Sequence, residues 1–341
     1  MKLLLHTRFY PNTGGIETVA SLLAHEWIAA GVNVSVVTDV AADANRQMRF
    51  PFPVYHCPSA MQFLQLVRAH DVFIHFNVSV RAIWPLLFVR RPFIAVHHGF
   101  YVINESGHRD LRENVKLFIA QRATENIAVS ESVARTIGIN CKIIANPFER
   151  KFFQDGKQQD RGGDLVFLGR LVSSKGVAVL IRALKLLKNR NLTPHLTIIG
   201  NGPERPVLEK LIRNLQLKDQ VGFTGAIATA KVAELLRMHK IMVVPSVWNE
   251  GFGVVALEGI ACGCVVVGSS GGGLPEALGP CGLTFPNGDV TALADRLEQL
   301  LKNDQLAKEL LSHADSHLEK HRPERIAQEY LRVICTATGS C

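Results

Sequence analysis

Glu250 and Glu258 stand eight positions apart in a continuous stretch, Pro245 to Cys264, that reads P-S-V-W-N-E-G-F-G-V-V-A-L-E-G-I-A-C-G-C. An apolar run, Ile241 to Val244, precedes it. The first carboxylate therefore falls in the loop beyond a buried strand. The second falls more than one turn into a helix that starts near Gly253. In a parallel α/β sheet, that is where ligands sit, beyond a strand's carboxyl end and at the next helix's N-terminus. Gly251 and Gly253 let a ligand approach the backbone closely. Acids placed around a helix N-terminus suit a ligand that is anionic at one point and hydroxyl-rich on either side, the layout of a nucleotide sugar.

Further chemistry-bearing residues sit in strand-to-helix turns. Phe167-Leu-Gly-Arg170-Leu-Val-Ser-Ser-Lys175-Gly176 puts two cations five positions apart between glycines. Pro11-Asn-Thr-Gly14-Gly15-Ile-Glu17 lies between a first strand and a first helix, where Glu17 would at least complement the helix dipole. His97 and His98 close an apolar strand before Gly99. Gly200-Asn-Gly202-Pro-Glu204 and Phe223-Thr-Gly225 follow two more apolar runs.

The elements that must position these residues alternate. In the first half, strands are expected at 2–6, 33–38, 72–76, 92–97, 126–129 and 142–145, with an amphipathic helix at 16–30 closed by Gly31. The alternation restarts with strands at 165–168, 196–199, 221–224, 241–244 and 265–268, and the chain is helical from Val290. Short, nearly all-apolar strands between helices indicate parallel sheets covered on both faces. The polar stretch 146–163 is the expected linker. Two α/β domains follow, residues 1–150 and 151–322, with a closing helix in 323–341.

Composition narrows the class. The chain has 341 residues, 47% hydrophobic and 20% charged, as in a globular protein. Its net charge of +8 divides evenly between the halves and reads as diffuse, fitting anionic ligands or an anionic membrane surface. Without a long basic run or a stacking motif, no nucleic acid partner is expected. Seven irregularly spaced cysteines, with Cys262 and Cys264 on an apolar helix end, point to buried reduced thiols in a cytoplasmic protein. The apolar start of the chain stops at His6-Thr7-Arg8, so it is expected to be a strand rather than a leader. Arg90 and Arg91 interrupt the longest apolar run, 82–96, so no membrane-spanning helix is expected.

Taken with their order and spacing, these segments resemble the retaining glycosyltransferases of the GT-B fold, in particular glycosyltransferase family 4, whose E-x7-E signature the Glu250 to Glu258 stretch matches. The resemblance implies two Rossmann-like domains facing a cleft, an acceptor-side domain and a nucleotide-sugar donor domain, with the last helix packing back on the first domain. It implies that Arg170 and Lys175 neutralise the donor diphosphate, which gains charge as the glycosidic bond breaks. Glu258 would bind the ribose. Glu250, with the backbone of Gly251, Phe252, Gly253 and Val254, would hold the hexose. His98, matched by register in the family's His-Gly, would lie near the sugar, and Gly15, Gly202 and Phe223 would approach the donor through backbone. Lys240 stands where family members usually have Asp, and the turn Ser269 to Glu276 carries an extra glycine.

The implied activity is transfer of a hexosyl group from a nucleoside-diphosphate sugar to a sugar or lipid-linked saccharide, in surface polysaccharide or glycolipid synthesis. No D-x-D pair is present, so no metal and no cofactor is expected. Two other readings stay open on residues alone, an epimerase-like sugar-nucleotide enzyme and an inactive nucleotide-sugar-binding module. Finally, Leu111, Val115, Phe118, Ile119 and Arg122 recur at helical spacing within 108–123, flanked by Arg109, Arg112 and Lys116. That layout fits either a core-facing helix or one that makes peripheral contact with the inner face of a membrane.

Overall fold

The computed structural model describes residues 1–11, 14–43, 49–101, 110–149 and 161–339. It divides into two compact units, Met1–Pro147 joined by the C-terminal stretch from His321, and Phe148–Lys320. The polar linker falls largely outside the described residues.

The first unit is a seven-stranded parallel sheet built from β1 (Lys2–His6), β2 (Asn33–Thr38), β3 (Val54–His56), β4 (Val72–Phe76), β5 (Phe93–His97), β6 (Glu125–Ala128) and β7 (Lys142–Ile143). Its order is β3-β2-β1-β4-β5-β6-β7. Leu3, Leu4 and Leu5 of β1 and Ile74 of β4 are wholly buried, as a sheet covered on both faces demands. The first helix, Gly15–Ala29, buries Val19, Leu23 and Trp27. The Trp27 indole donates to the Ala327 carbonyl at 3.2 Å, and its ring meets that of Tyr330. The closing helix, Pro323–Thr338, thus packs on the first helix of this unit, as the sequence implies. Pro323 opens it, where a missing N–H costs nothing.

The second unit is a six-stranded parallel sheet of β8 (Gly163–Leu168), β9 (Leu196–Ile199), β10 (Val221–Gly225), β11 (His239–Val244), β12 (Val265–Ser269) and β13 (Gly282–Phe285). Its order is β10-β9-β8-β11-β12-β13. Phe167, Ile198, Val243 and Val267 form one core with Leu180, Leu184 and Leu187 of the helix Val177–Asn189.

The expected doubly wound parallel architecture is therefore present in both units. The sequence did not foretell β3 and β13, two edge strands. Among the described residues, no helix is long and apolar enough to cross a membrane. Among the described residues five cysteines are free thiols, of which Cys262, Cys264 and Cys281 are buried. Cys57 is exposed and Cys335 is disulfide-bonded, so uniformly buried reduced thiols do not hold.

Candidate functional site

In each sheet the strand order reverses once, between β1 and β4 and between β8 and β11. At such a point, the loops leaving the two carboxyl ends turn to opposite faces and open a crevice. In the second unit those loops carry Arg170 and Lys175 after β8, and Glu250 after β11.

The two loops are joined through their backbones. Val247 N–H donates to the Ser174 carbonyl at 2.9 Å. Gly176 lies at φ +68°, and a methyl group there would drive into the Pro245 carbonyl oxygen. Across this junction, Lys175 Nζ donates to Glu250 Oε1 at 2.6 Å, and the Ser246 hydroxyl donates to the same oxygen. Glu250 is largely buried and Lys175 less so, their side chains 18% and 29% exposed. Arg170 is exposed and has no carboxylate partner among the described residues.

The acid is also held from behind. Gly273 N–H donates to the Glu250 carbonyl at 2.8 Å, and Gly272, at φ +76°, leaves room for that oxygen. Asn287 links the neighbouring turns, accepting from Gly271 N–H at 2.8 Å and donating to the Val247 carbonyl at 3.2 Å. The glycine-rich turn after β12 therefore braces the Glu250 loop.

Gly251 and Val254 are half-buried and Phe252 is buried, so the phenyl ring anchors the loop while only its backbone can serve a ligand. Gly253, at φ +94°, starts the helix Val254–Ala261, where a side chain would meet Leu274. Glu258 is half-buried in the second turn of that helix.

The turn after β9 has a structural demand of its own. Leu171 N–H donates to the Asn201 carbonyl, and Glu204 N–H donates to the Leu171 carbonyl, at 3.0 and 3.1 Å. A methyl on Gly202 would enter that Leu171 carbonyl, so close packing of two loops already requires this glycine. Phe223 is half-buried, with the Arg205 guanidinium 5.2 Å over its ring. Arg205, Ser246 and Asn287 were not singled out from sequence. Ser246 and Asn287 carry only the turn signals Pro-Ser and Pro-Asn-Gly.

In the first unit, Gly15 is exposed at the start of its helix, with open space where a side chain would go. Asn12 and Thr13 of that loop lie outside the described residues. His98 follows β5, its N–H donating to Asn77 Oδ1 at 2.9 Å and its ring 4.6 Å from that of Phe76. The ring is buried, and its Nε2 has no hydrogen-bond partner among the described residues. Burial, then the nearby His97, lowers its pKa to about 3, so it is neutral.

His97 is different, with both nitrogens engaged. Its Nε2 is 2.9 Å from Asn126 Oδ1 and its Nδ1 is 2.9 Å from the Tyr101 hydroxyl. Asn126 donates its amide to Ala120, which leaves Oδ1 to accept from Nε2–H. His97 thus braces the sheet, and His98 has the nitrogen to spare.

A second histidine pair was not foreseen. His6 Nδ1 and His75 Nδ1 are 3.1 Å apart at the β1/β4 reversal. Ser79 N–H donates to His75 Nε2, which fixes the His75 proton on Nδ1 and makes His6 Nδ1 the acceptor. His6 then carries its proton on Nε2, facing Asp39 at 3.6 Å. Burial, then the neighbouring His6, lowers the His75 pKa to about 3. Among the described residues, no group of three or more acids, histidines or cysteines is arranged to hold a metal.

Comparison with known proteins bears on the whole chain. Residues 148–316 match the family model of the glycosyl transferases group 1, and residues 13–148 that of glycosyltransferase family 4. The N-acetyl-alpha-D-glucosaminyl L-malate synthase of Bacillus anthracis is 38% identical over 138 residues, 40% of this chain and 35% of that protein. The phosphatidyl-myo-inositol mannosyltransferase of Mycolicibacterium smegmatis is 28% identical over 225 residues, 63% of this chain and 58% of that protein. The chain thus spans about a third to somewhat over half the length of these curated relatives. The Anabaena HepE structure in complex with UDP superposes with a TM-score of 0.81 at 20% identity, over 98% of this chain and 100% of that one, a likeness of fold. With two adjoining family models spanning residues 13–316, this chain belongs to the group 1, family 4 glycosyltransferases of the GT-B fold.

Proposed function

We propose that the chain is a retaining, metal-independent hexosyltransferase. On this reading it moves a hexosyl group from a nucleoside-diphosphate sugar to a hydroxyl of a sugar or lipid-linked saccharide acceptor, on the cytoplasmic side of surface polysaccharide or glycolipid synthesis. The observation that carries the reading is the Lys175–Glu250 pair at the β8/β11 reversal, with the unpaired Arg170 on the same loop. Fixed cations and a helix N-terminus at one crevice are what a departing diphosphate requires.

In this mechanism Arg170 and Lys175 take the diphosphate charge, and Glu258 accepts hydrogen bonds from the ribose. Glu250 and the backbone N–H groups of residues 251–254 orient the hexose, and Gly15, Gly202 and Phe223 border the donor. His98 contributes its spare nitrogen to the sugar. The bond from the anomeric carbon to the phosphate oxygen breaks, and the acceptor oxygen bonds to that carbon on the same face. The acceptor proton passes to the departing phosphate oxygen. Uridine diphosphate, held by the HepE structure, is the first nucleotide to try.

The test is turnover of UDP-, GDP- and ADP-hexoses with saccharide acceptors, the anomeric configuration of the product being read by NMR, with and without EDTA. The reading expects transfer with retention that survives EDTA. An inverted product overturns retention, and loss of turnover restored by Mg²⁺ overturns metal independence. Epimerisation without transfer, or donor binding without turnover, overturns the transferase assignment.

A further inference from the structure

Residues 80–93 and 111–124 carry six basic residues against one acid, so a surplus of five positive charges out of the chain's +8 falls on these two stretches. The one acid, Glu113, is buried and neutralised by Lys116. Basicity that is even between the halves is thus gathered locally on these two stretches.

The two stretches lie side by side. The short helix Val80–Ile83 packs beside the helix Leu111–Ala120, and the turn Trp84–Leu87 follows it directly. The expected stripe of that helix splits: Ile119 is buried, whereas Leu111 and Phe118 face outward. His108 and Arg109 lie outside the described residues. Across from Phe118, which is 53% exposed, stands Leu87, 81% exposed, and the next residue, Phe88, is 68% exposed with its ring beside that of Trp84.

Between them runs a groove of about 580 Å³, floored by Ile83, Leu86, Val89 and Ile119. That volume lies within the range of about 300–1,000 Å³ typical of small-ligand sites. Arg90, Arg91 and Arg122 line it as well, none paired with a carboxylate among the described residues. Arg91 donates to the backbone carbonyls of His70, Arg68 and Arg90, and Arg122 lies 3.3 Å over the Phe118 ring. Arg90 and Arg91 directly precede β5, and Arg122 closely precedes β6. The groove is thus at the amino edge of the sheet, whereas His98 is at the carboxyl edge.

Exposed leucine and phenylalanine beside uncompensated guanidinium groups match an amphiphile with an alkyl chain and an anionic head. We infer that this face docks the protein on an anionic phospholipid bilayer. Leu87, Phe88 and Phe118 enter the interface, the groove takes an acyl chain, and Arg90, Arg91 and Arg122 meet lipid phosphates. The inference goes beyond the transferase reading, and its test does not use turnover.

The full chain is sedimented with vesicles of phosphatidylcholine alone or mixed with phosphatidylglycerol, at low and high salt. The same is done with the pair Leu87→Ser and Phe88→Ser and with the pair Arg90→Gln and Arg122→Gln, their folding checked by circular dichroism. Binding is expected on the anionic vesicles only and should weaken with salt. Each lost arginine should lower partitioning about fivefold, and the serine pair should lower it by roughly tenfold or more. Absence of binding, indifference to lipid charge, or wild-type partitioning in both variants overturns the inference. So does a wild-type dimer in analytical ultracentrifugation that the serine pair dissociates, because a second copy would then cover the face.

Discussion

Lys175 and Glu250, 75 positions apart in the chain, meet at 2.6 Å because β8 and β11 are neighbours at the point where the second sheet reverses its order. The pair joins a cation suited to the diphosphate to an acid suited to the hexose, so neither should act alone. In a double-mutant cycle on kcat/KM, Lys175→Met and Glu250→Gln should each cost about 1.5–3 kcal/mol, roughly ten- to a hundredfold. The double variant should lose little more than the worse single variant. Additive losses in folded protein would show that the two side chains serve the reaction independently.

Arg170 has no such partner, and its charge is available to a ligand. Arg170→Gln should weaken binding of the free nucleoside diphosphate by about fivefold or more at low salt, with a smaller effect at high salt. Binding of the bare nucleoside should barely change. Calorimetry on both ligands is the check, and equal losses would move Arg170 away from the diphosphate.

Two glycines should behave in opposite ways. Gly176 combines positive φ with a carbonyl oxygen where a side chain would go, so Gly176→Ala should destabilise the second unit by at least about 2 kcal/mol. Gly15 faces open space at a helix start, and Gly15→Ala should leave stability within about 0.5 kcal/mol of wild type or slightly raise it. Denaturant unfolding measures both. A stable Gly176→Ala protein would mean that the β8 and β11 loops are not held together as described.

The difference between these glycines marks where sequence reading stops. Strands β1, β4, β9 and β11 announce themselves as short, mostly apolar runs, because both faces of a parallel strand are buried. β3 and β13 do not, since Val54-Tyr-His and Gly282-Leu-Thr-Phe are short edge strands whose residues, Phe285 apart, are only half-buried. Arg170, Lys175, Glu250 and Glu258 were legible as turn residues of the right type. Their pairing was not, because it depends on which strands lie side by side. Ser246 and Asn287 act through side-chain hydrogen bonds across loops, and the His6–His75 pair forms only where β1 meets β4.

His98 carries a pH signature that separates its role from that of a packing residue. Its pKa is lowered from 6.5 to about 3 by burial, whereas in the unfolded chain it keeps the ordinary value. Between those values the unfolded state binds one more proton, so its contribution to stability is present above about pH 6.5 and is lost as pH falls toward 3. His98→Leu should remove that share, flattening the dependence by about 1.4 kcal/mol per pH unit between pH 6 and 4. At neutral pH the variant should be within about 1 kcal/mol of wild type, since the Nε2 it loses has no partner among the described residues. Turnover should nevertheless fall, because the same nitrogen is assigned to the sugar. Denaturant unfolding across pH, with kinetics at neutral pH, makes the comparison. An unchanged pH slope would mean that His98 titrates normally in the fold, and full turnover in a stable variant would remove it from the site.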